Sequence, residues 1–183
     1  MRRLLYEQGP ALEAAILLAL RILGFVAEPF KNSESEFDAV FISAEGRFLG
    51  EAEGKDNKAI NVDKLRQLEM NVQEDFARED IDEYARGVLF GNAYRLKSPG
   101  ERTGDWFTEK CLKAAARSGT ALVRTNDLFF AAKAVKETGD QEYALACRES
   151  LLSQGGKVVE FPMLPIQVQP VDEQSKPARA VGT

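Results

Sequence analysis

Two stretches of alternating apolar and polar residues meet at a tight turn between positions 36 and 55. This hairpin constrains the fold more than any other feature of the chain. EFDAVFIS (36–43) and FLGEAEGK (48–55) flank Ala44-Glu45-Gly46-Arg47. Branched and aromatic residues at a period of two mark strands, and Gly46 can take the backbone angles of a tight turn. The period sorts the side chains into two faces. One carries Phe37, Ala39, Phe41 and Ser43 with Phe48, Gly50, Ala52 and Gly54. The other carries Glu36, Asp38, Val40 and Ile42 with Leu49, Glu51, Glu53 and Lys55. A two-residue loop at Glu45-Gly46, or a four-residue loop between Ser43 and Phe48, sets Asp38 opposite Glu53 and Glu36 opposite Lys55.

Two directly opposed carboxylates repel each other. A divalent cation shared between Asp38 and Glu53 resolves the conflict, because Mg²⁺ takes hard oxygen ligands. Lys55, on the same face, then stands where a developing phosphate charge needs a cation. The competing explanation is a solvated charged rim, with Glu36 paired to Lys55 for less than about 1 kcal/mol.

The remaining elements follow from periodicity and caps. Gly9-Pro10 opens a helix over 10–23 that is apolar almost all round and therefore belongs inside a fold. A short edge strand is expected over 25–30, where Pro29 weakens it. A helix over 61–78 shows an apolar stripe of Leu65, Leu68, Val72 and Phe76. Strands are expected at 88–91 and 121–125, helices at 107–117, 127–137 and 141–152, and a last strand at 157–161. Thr108 and Asn126-Asp127 read as helix caps. The order implies an α/β fold, a three-layer α/β/α sandwich around a mixed sheet. Residues 1–161 form one domain, and 162–183, where proline rises and periodicity fades, form an extended or disordered tail.

Composition narrows the chemistry. The 183 residues contain no histidine, which removes His-based general bases, Ser-His and Cys-His pairs and imidazole metal sites. Cys111 and Cys147 lack CxxC spacing and read as reduced thiols of a cytoplasmic protein. The formal charge of −5 gives no general attraction to nucleic acid, so such binding needs a local basic patch. The apolar run 11–23 is too short to span a membrane and carries no cleavage site. GEAEGKD (50–56) is no phosphate loop, since it has three residues between its glycines and Asp56 after the lysine.

Asp38, a hairpin, then Glu53-Gly54-Lys55 resembles the signature of the PD-(D/E)xK nuclease superfamily, the restriction-endonuclease-like fold. Glu13 on the helix that leads to Gly24-Phe25 resembles the helical glutamate of Mrr-like members, and the element order is similar over about residues 7–130. Phe37 stands where the family's proline is usual. The resemblance implies a metal-dependent nuclease that hydrolyses phosphodiester bonds, above all in DNA, in a restriction, phage-defence or repair setting. It implies that Asp38, Glu53 and Glu13 hold Mg²⁺ or Mn²⁺ and that Lys55 helps activate water, with Glu51 as an accessory. Lys58, Lys64, Arg66, Arg95, Lys97 and Arg102 are the cations available to phosphates, with Tyr94 and Trp106 as aromatics for stacking. An acidic chain of this kind suits an effector whose target choice comes from another domain or subunit, and a homodimer is left open. The alternative is a catalytically inactive nuclease-fold module that binds nucleic acid or a partner protein.

Overall fold

The computed structural model describes residues 1–29, 39–78 and 81–163. The expected tail from 164 onward, and Asp38 with the rest of 30–38, lie outside the described residues. The hairpin forms β2 (Ala39–Ser43) and β3 (Gly46–Gly54), and β1 (Val26–Glu28) pairs with β2 at the sheet edge. β4 (Arg86–Asn92) and β5 (Ala121–Arg124) add to β3 in parallel. The spatial order therefore equals the chain order, β1-β2-β3-β4-β5, antiparallel up to β3 and parallel beyond it.

The hairpin register is two residues away from the one expected. Ser43 pairs with Gly46 and Ala39 with Gly50, so the turn is Ala44-Glu45. The physical reason is aromatic. In this register Phe41 lies opposite Phe48, with rings stacked at 5.0 Å and an interplanar angle of 5°. In the expected register each phenylalanine would have faced a small residue, Gly50 or Ser43. A stacked aromatic pair contributes about 0.5–1.5 kcal/mol beyond burial. Phe25 packs edge-on against both rings.

Because a shift of two preserves the pleat, the two faces are as expected. Phe41, Phe48 and Ala52 join the larger core, which α1 (Arg3–Tyr6), α2 (Pro10–Ile22), α5 (Thr125–Thr138) and α6 (Gln141–Ser153) cover. Leu49 joins a second, smaller core under α3 (Asp63–Phe76) and α4 (Glu109–Ser118). The sheet thus lies between two helical layers. The two cysteines are free and buried, Cys147 in the larger core and Cys111 in the smaller. Among the described residues no helix is long and apolar enough to cross a membrane.

Two expectations are corrected. Residues 157–161 do not form a full strand. They meet β5 through a bridge at Leu122 and Val158, with hydrogen bonds from Leu122 to Lys157 and from Val159 to Leu122. Asn126-Asp127 is not a cap, because α5 starts at Thr125 directly after β5. Asp127 instead pairs with Arg124 at 2.5 Å. Thr108 does cap α4, accepting from the Cys111 amide at 3.3 Å.

The hairpin turn is tied to the larger layer by Arg148 of α6. Its guanidinium donates to both Glu45 carboxylate oxygens, at 3.0 and 3.3 Å, and to the Leu23 carbonyl at 2.8 Å. The Arg148 hydrogen bonds pull the Glu45 carboxyl from its usual 4.5 down to about 2. A lowered carboxyl pKa adds stability above the unfolded value, and that stability fades as pH falls through the folded one. Arg148→Met is therefore expected to lose stability at pH 7 but to lose progressively less, relative to the native chain, between about pH 4.5 and 2. Urea titrations across that range measure the difference, and a constant gap would exclude the pair as its source.

Candidate active site at the ends of β3 and β4

Odd-numbered residues of β3 face α3 and α4, which places Arg47, Leu49, Glu51 and Glu53 in a row on that side. α3 runs back antiparallel to β3, and polar residues on its inner face meet this row. Near the start of β3, Arg47 makes a two-pronged ion pair with Asp75, one prong at 2.9 Å from Nη2 to Oδ1. Further along, Glu51 is fully buried. Lys64 Nζ lies 3.1 Å from its Oε2 and Asn71 Nδ2 lies 3.2 Å from its Oε1. Lys64 and Asn71 are seven residues apart, two helical turns, and so share one face. A buried carboxylate is tolerated only with such partners.

Glu53 follows at the strand end. Its Oε1 lies 2.5 Å from Lys55 Nζ. Its Oε2 is buried and has no hydrogen-bond partner among the described residues. Its side chain is only 12% exposed. Burial, aided by the Glu53 charge, pushes the Cys111 thiol up to about 11. Close backbone approaches fix the frame. A Cβ on Gly54 would sit 2.5 Å from Gln8 Cβ, so the link between α1 and α2 lies directly on the end of β3. A Cβ on Gly91, the β4 neighbour of Glu53, would collide with Ile60 and Phe107 at 2.8 Å.

The loop after β4 holds Lys55 in place. The Lys55 amide donates to the Asn92 carbonyl, and the Lys55 carbonyl accepts from the Arg95 amide, each at 3.0 Å. Asn92 itself donates to the Glu7 carbonyl at 2.8 Å and accepts from Arg102 Nη1 at 2.8 Å.

The sequence-expected residues separate into groups. Glu53 and Lys55 are brought together. Lys64 is drawn inward onto Glu51. Glu13 stands half-buried in the first turn of α2. Among the described residues no three aspartate, glutamate, cysteine or histidine side chains converge as a metal-holding group, so Glu13, Glu51 and Glu53 do not form one. Lys58 and Arg66 are exposed. Arg95 donates to the Tyr6 carbonyl at 2.8 Å and pairs with Asp56 at 2.6 Å. Arg102, expected to reach phosphate, is 7% exposed and serves the fold. It donates to the carbonyls of Leu5, Lys97 and Arg95 and lies within 6 Å of the Tyr6 and Trp106 rings. Lys97 stands over the Tyr94 ring at 5.3 Å. Asn71 was not singled out by the sequence. Its signal was an amide on the inner stripe between Leu68 and Val72.

The donor set fits a divalent cation in one respect: hard carboxylate oxygens lie at a strand end, and one of them, Glu53 Oε2, is buried without a partner. No family model matches this chain, and no curated protein matches it either. Among solved structures it resembles the restriction endonuclease FokI, with a TM-score of 0.56 at 9% sequence identity. The match covers 87% of this chain and 30% of FokI, so the chain spans under a third of that protein's length. A mixed five-stranded sheet between two helical layers, with that likeness, gives this chain the restriction-endonuclease-like fold.

Proposed function

We propose that this chain is a divalent-metal-dependent nuclease acting on DNA, of PD-(D/E)xK type. The observation that carries the reading is the unpartnered buried Oε2 of Glu53, whose other oxygen holds Lys55 Nζ at 2.5 Å. A buried carboxylate oxygen without a hydrogen bond calls for a further partner, and a bound cation would supply one. Glu53 and Asp38 would hold Mg²⁺ or Mn²⁺, with Glu13 at the margin of the set. The likeness to FokI, a restriction endonuclease by name, supports the same reaction class.

When bound, the cation lowers the pKa of water and neutralises charge on phosphorus-bound oxygens. The chain's own residues do the rest. Lys55, fixed through its backbone on Asn92 and Arg95, places an ammonium beside the Glu53 carboxylate, where it orients water and stabilises the charge of phosphodiester attack. Lys64 and Asn71 each bind one carboxylate oxygen of Glu51 and so fix its side chain. Target selection by a further domain or subunit accords with the acidic charge of the chain and belongs to the same proposal.

Purified protein with Mg²⁺ or Mn²⁺ is expected to nick single- or double-stranded DNA, and Lys55→Ala to slow cleavage by about 10²-fold or more. Mn²⁺ at one hundred times its Kd is expected to add about 2.7 kcal/mol of stability. A catalytically inactive module would show neither cleavage of DNA or RNA nor a metal-dependent melting shift.

A further inference from the structure

A second feature lies on the outer surface of the α3 and α4 layer. A cavity of about 570 Å³ runs between the two helices. Its walls carry Arg66 from α3 and Lys110, Lys113 and Arg117 from α4, opposed by one carboxylate, Glu69. Its floor is low because Ala114 and Ser118 are small. On α4 the three cations recur at steps of three and four, so they share one face over seven residues, about 10 Å of helix. Lys113 also pairs with Glu109 at 2.6 Å, but both side chains are more than two-thirds exposed, and such a pair yields readily to a better anion. Four cations gathered in one groove stand out on a chain of formal charge −5.

α3 and α4 both start at the end of the sheet where Glu51 and Glu53 lie, and both run back beside it. The groove begins at Val62 and Lys110, next to the turn of α3 that bears Lys64. We infer that this groove is a track for the phosphate backbone of a nucleic acid, extending from the candidate active site along α4 and recognising the strand through Arg66, Lys110, Lys113 and Arg117. The inference rests on the nuclease reading for its substrate class. About 10 Å corresponds to roughly three base-pair steps along a duplex axis at about 3.4 Å each. An acidic protein segment is the competing occupant. It is disfavoured because the lining offers only Val62 and Ala114 as apolar contacts and no aromatic pocket to anchor a partner.

Binding of a fluorescent DNA duplex to the full chain is measured in EDTA, so cleavage plays no part, over a series of salt concentrations. Lys110→Ala/Lys113→Ala is compared with Lys133→Ala/Lys136→Ala, an equal charge change on exposed residues of α5 in the opposite layer. Each phosphate contact contributes about 0.9 to the slope of log K against log salt. The groove variant is expected to lose about 2 from that slope and at least tenfold in affinity at low salt. The α5 variant should keep the native slope, and Lys110→Arg/Lys113→Arg should restore binding. Circular dichroism checks that each variant is folded, and Arg117→Ala alone, losing about 1 from the slope, repeats the test. Equal slopes for the groove and α5 variants would overturn the inference, as would an acidic peptide that binds the native chain but not the groove variant and leaves DNA binding unchanged. If DNA binds through the groove but is never cut with metal present, the groove stands and the nuclease reading fails. If DNA is cut and the slopes are unchanged, the groove fails alone.

Discussion

Glu53→Gln is expected to reduce metal-stimulated DNA cleavage by about 10³-fold while leaving the melting temperature in EDTA within a few degrees of the native protein. The reasoning starts from the two oxygens of Glu53. One holds Lys55 Nζ, and the other is buried without a hydrogen bond. The amide is nearly isosteric, so the strand end and its neighbours on Gly91 and Gly54 keep their packing. The negative charge is lost, and with it both the attraction for a divalent cation and the partner that holds the Lys55 ammonium. Loss of one preorganised electrostatic group alone costs about 10²–10³ in kcat, and here two groups are affected. Single-turnover cleavage measures the rate. Melting with and without Mn²⁺ measures the cation, whose stabilisation of the native protein should vanish in the variant. Native-like cleavage by Glu53→Gln would remove this residue from the site.

Asp75→Ala should lower folding stability by about 3–5 kcal/mol. Asp75 is fully buried and takes both prongs of the Arg47 guanidinium, itself 8% exposed, with Arg78 3.8 Å away. Removing the carboxylate leaves the mostly buried guanidinium without the partner of both its prongs. For a domain of this size, each kcal/mol lowers the melting temperature by about 2–4 °C, so the loss is easily seen in a thermal scan. Arg47→Met/Asp75→Leu should recover most of the loss, because deleting both charges removes the desolvation penalty along with the attraction. A fall below 1 kcal/mol in the single variant would show that Arg47 escapes to solvent.

The sequence made the two faces of the hairpin legible but not its register. Alternation carries a period of two, and a slip of two residues leaves every side chain on the same face. Only the stacking of Phe41 on Phe48, a contact between strands, distinguishes the two pairings. The helix over 10–23 and the cap at Thr108 were readable because they depend on neighbours in the chain. Arg102 was misread because a cation in a polar stretch looks like a surface group. Its burial arises from the carbonyls of Leu5, Lys97 and Arg95 and from Tyr6 and Trp106, and much of that comes from a helix almost a hundred residues earlier. The clamp of Lys64 and Asn71 on Glu51 was hidden for the same reason. Helical spacing puts an ammonium and an amide on one face but does not say which strand residue they meet.

The two helical layers are unequal. Residues of α1, α2, α5 and α6 bury a far larger apolar surface than those of α3 and α4, and the sheet separates the two. Transient opening of the thinner side exposes less oily surface and so costs less. Its backbone amides should exchange with deuterium sooner than those beneath α2, and that side of the sheet can loosen without unravelling the rest.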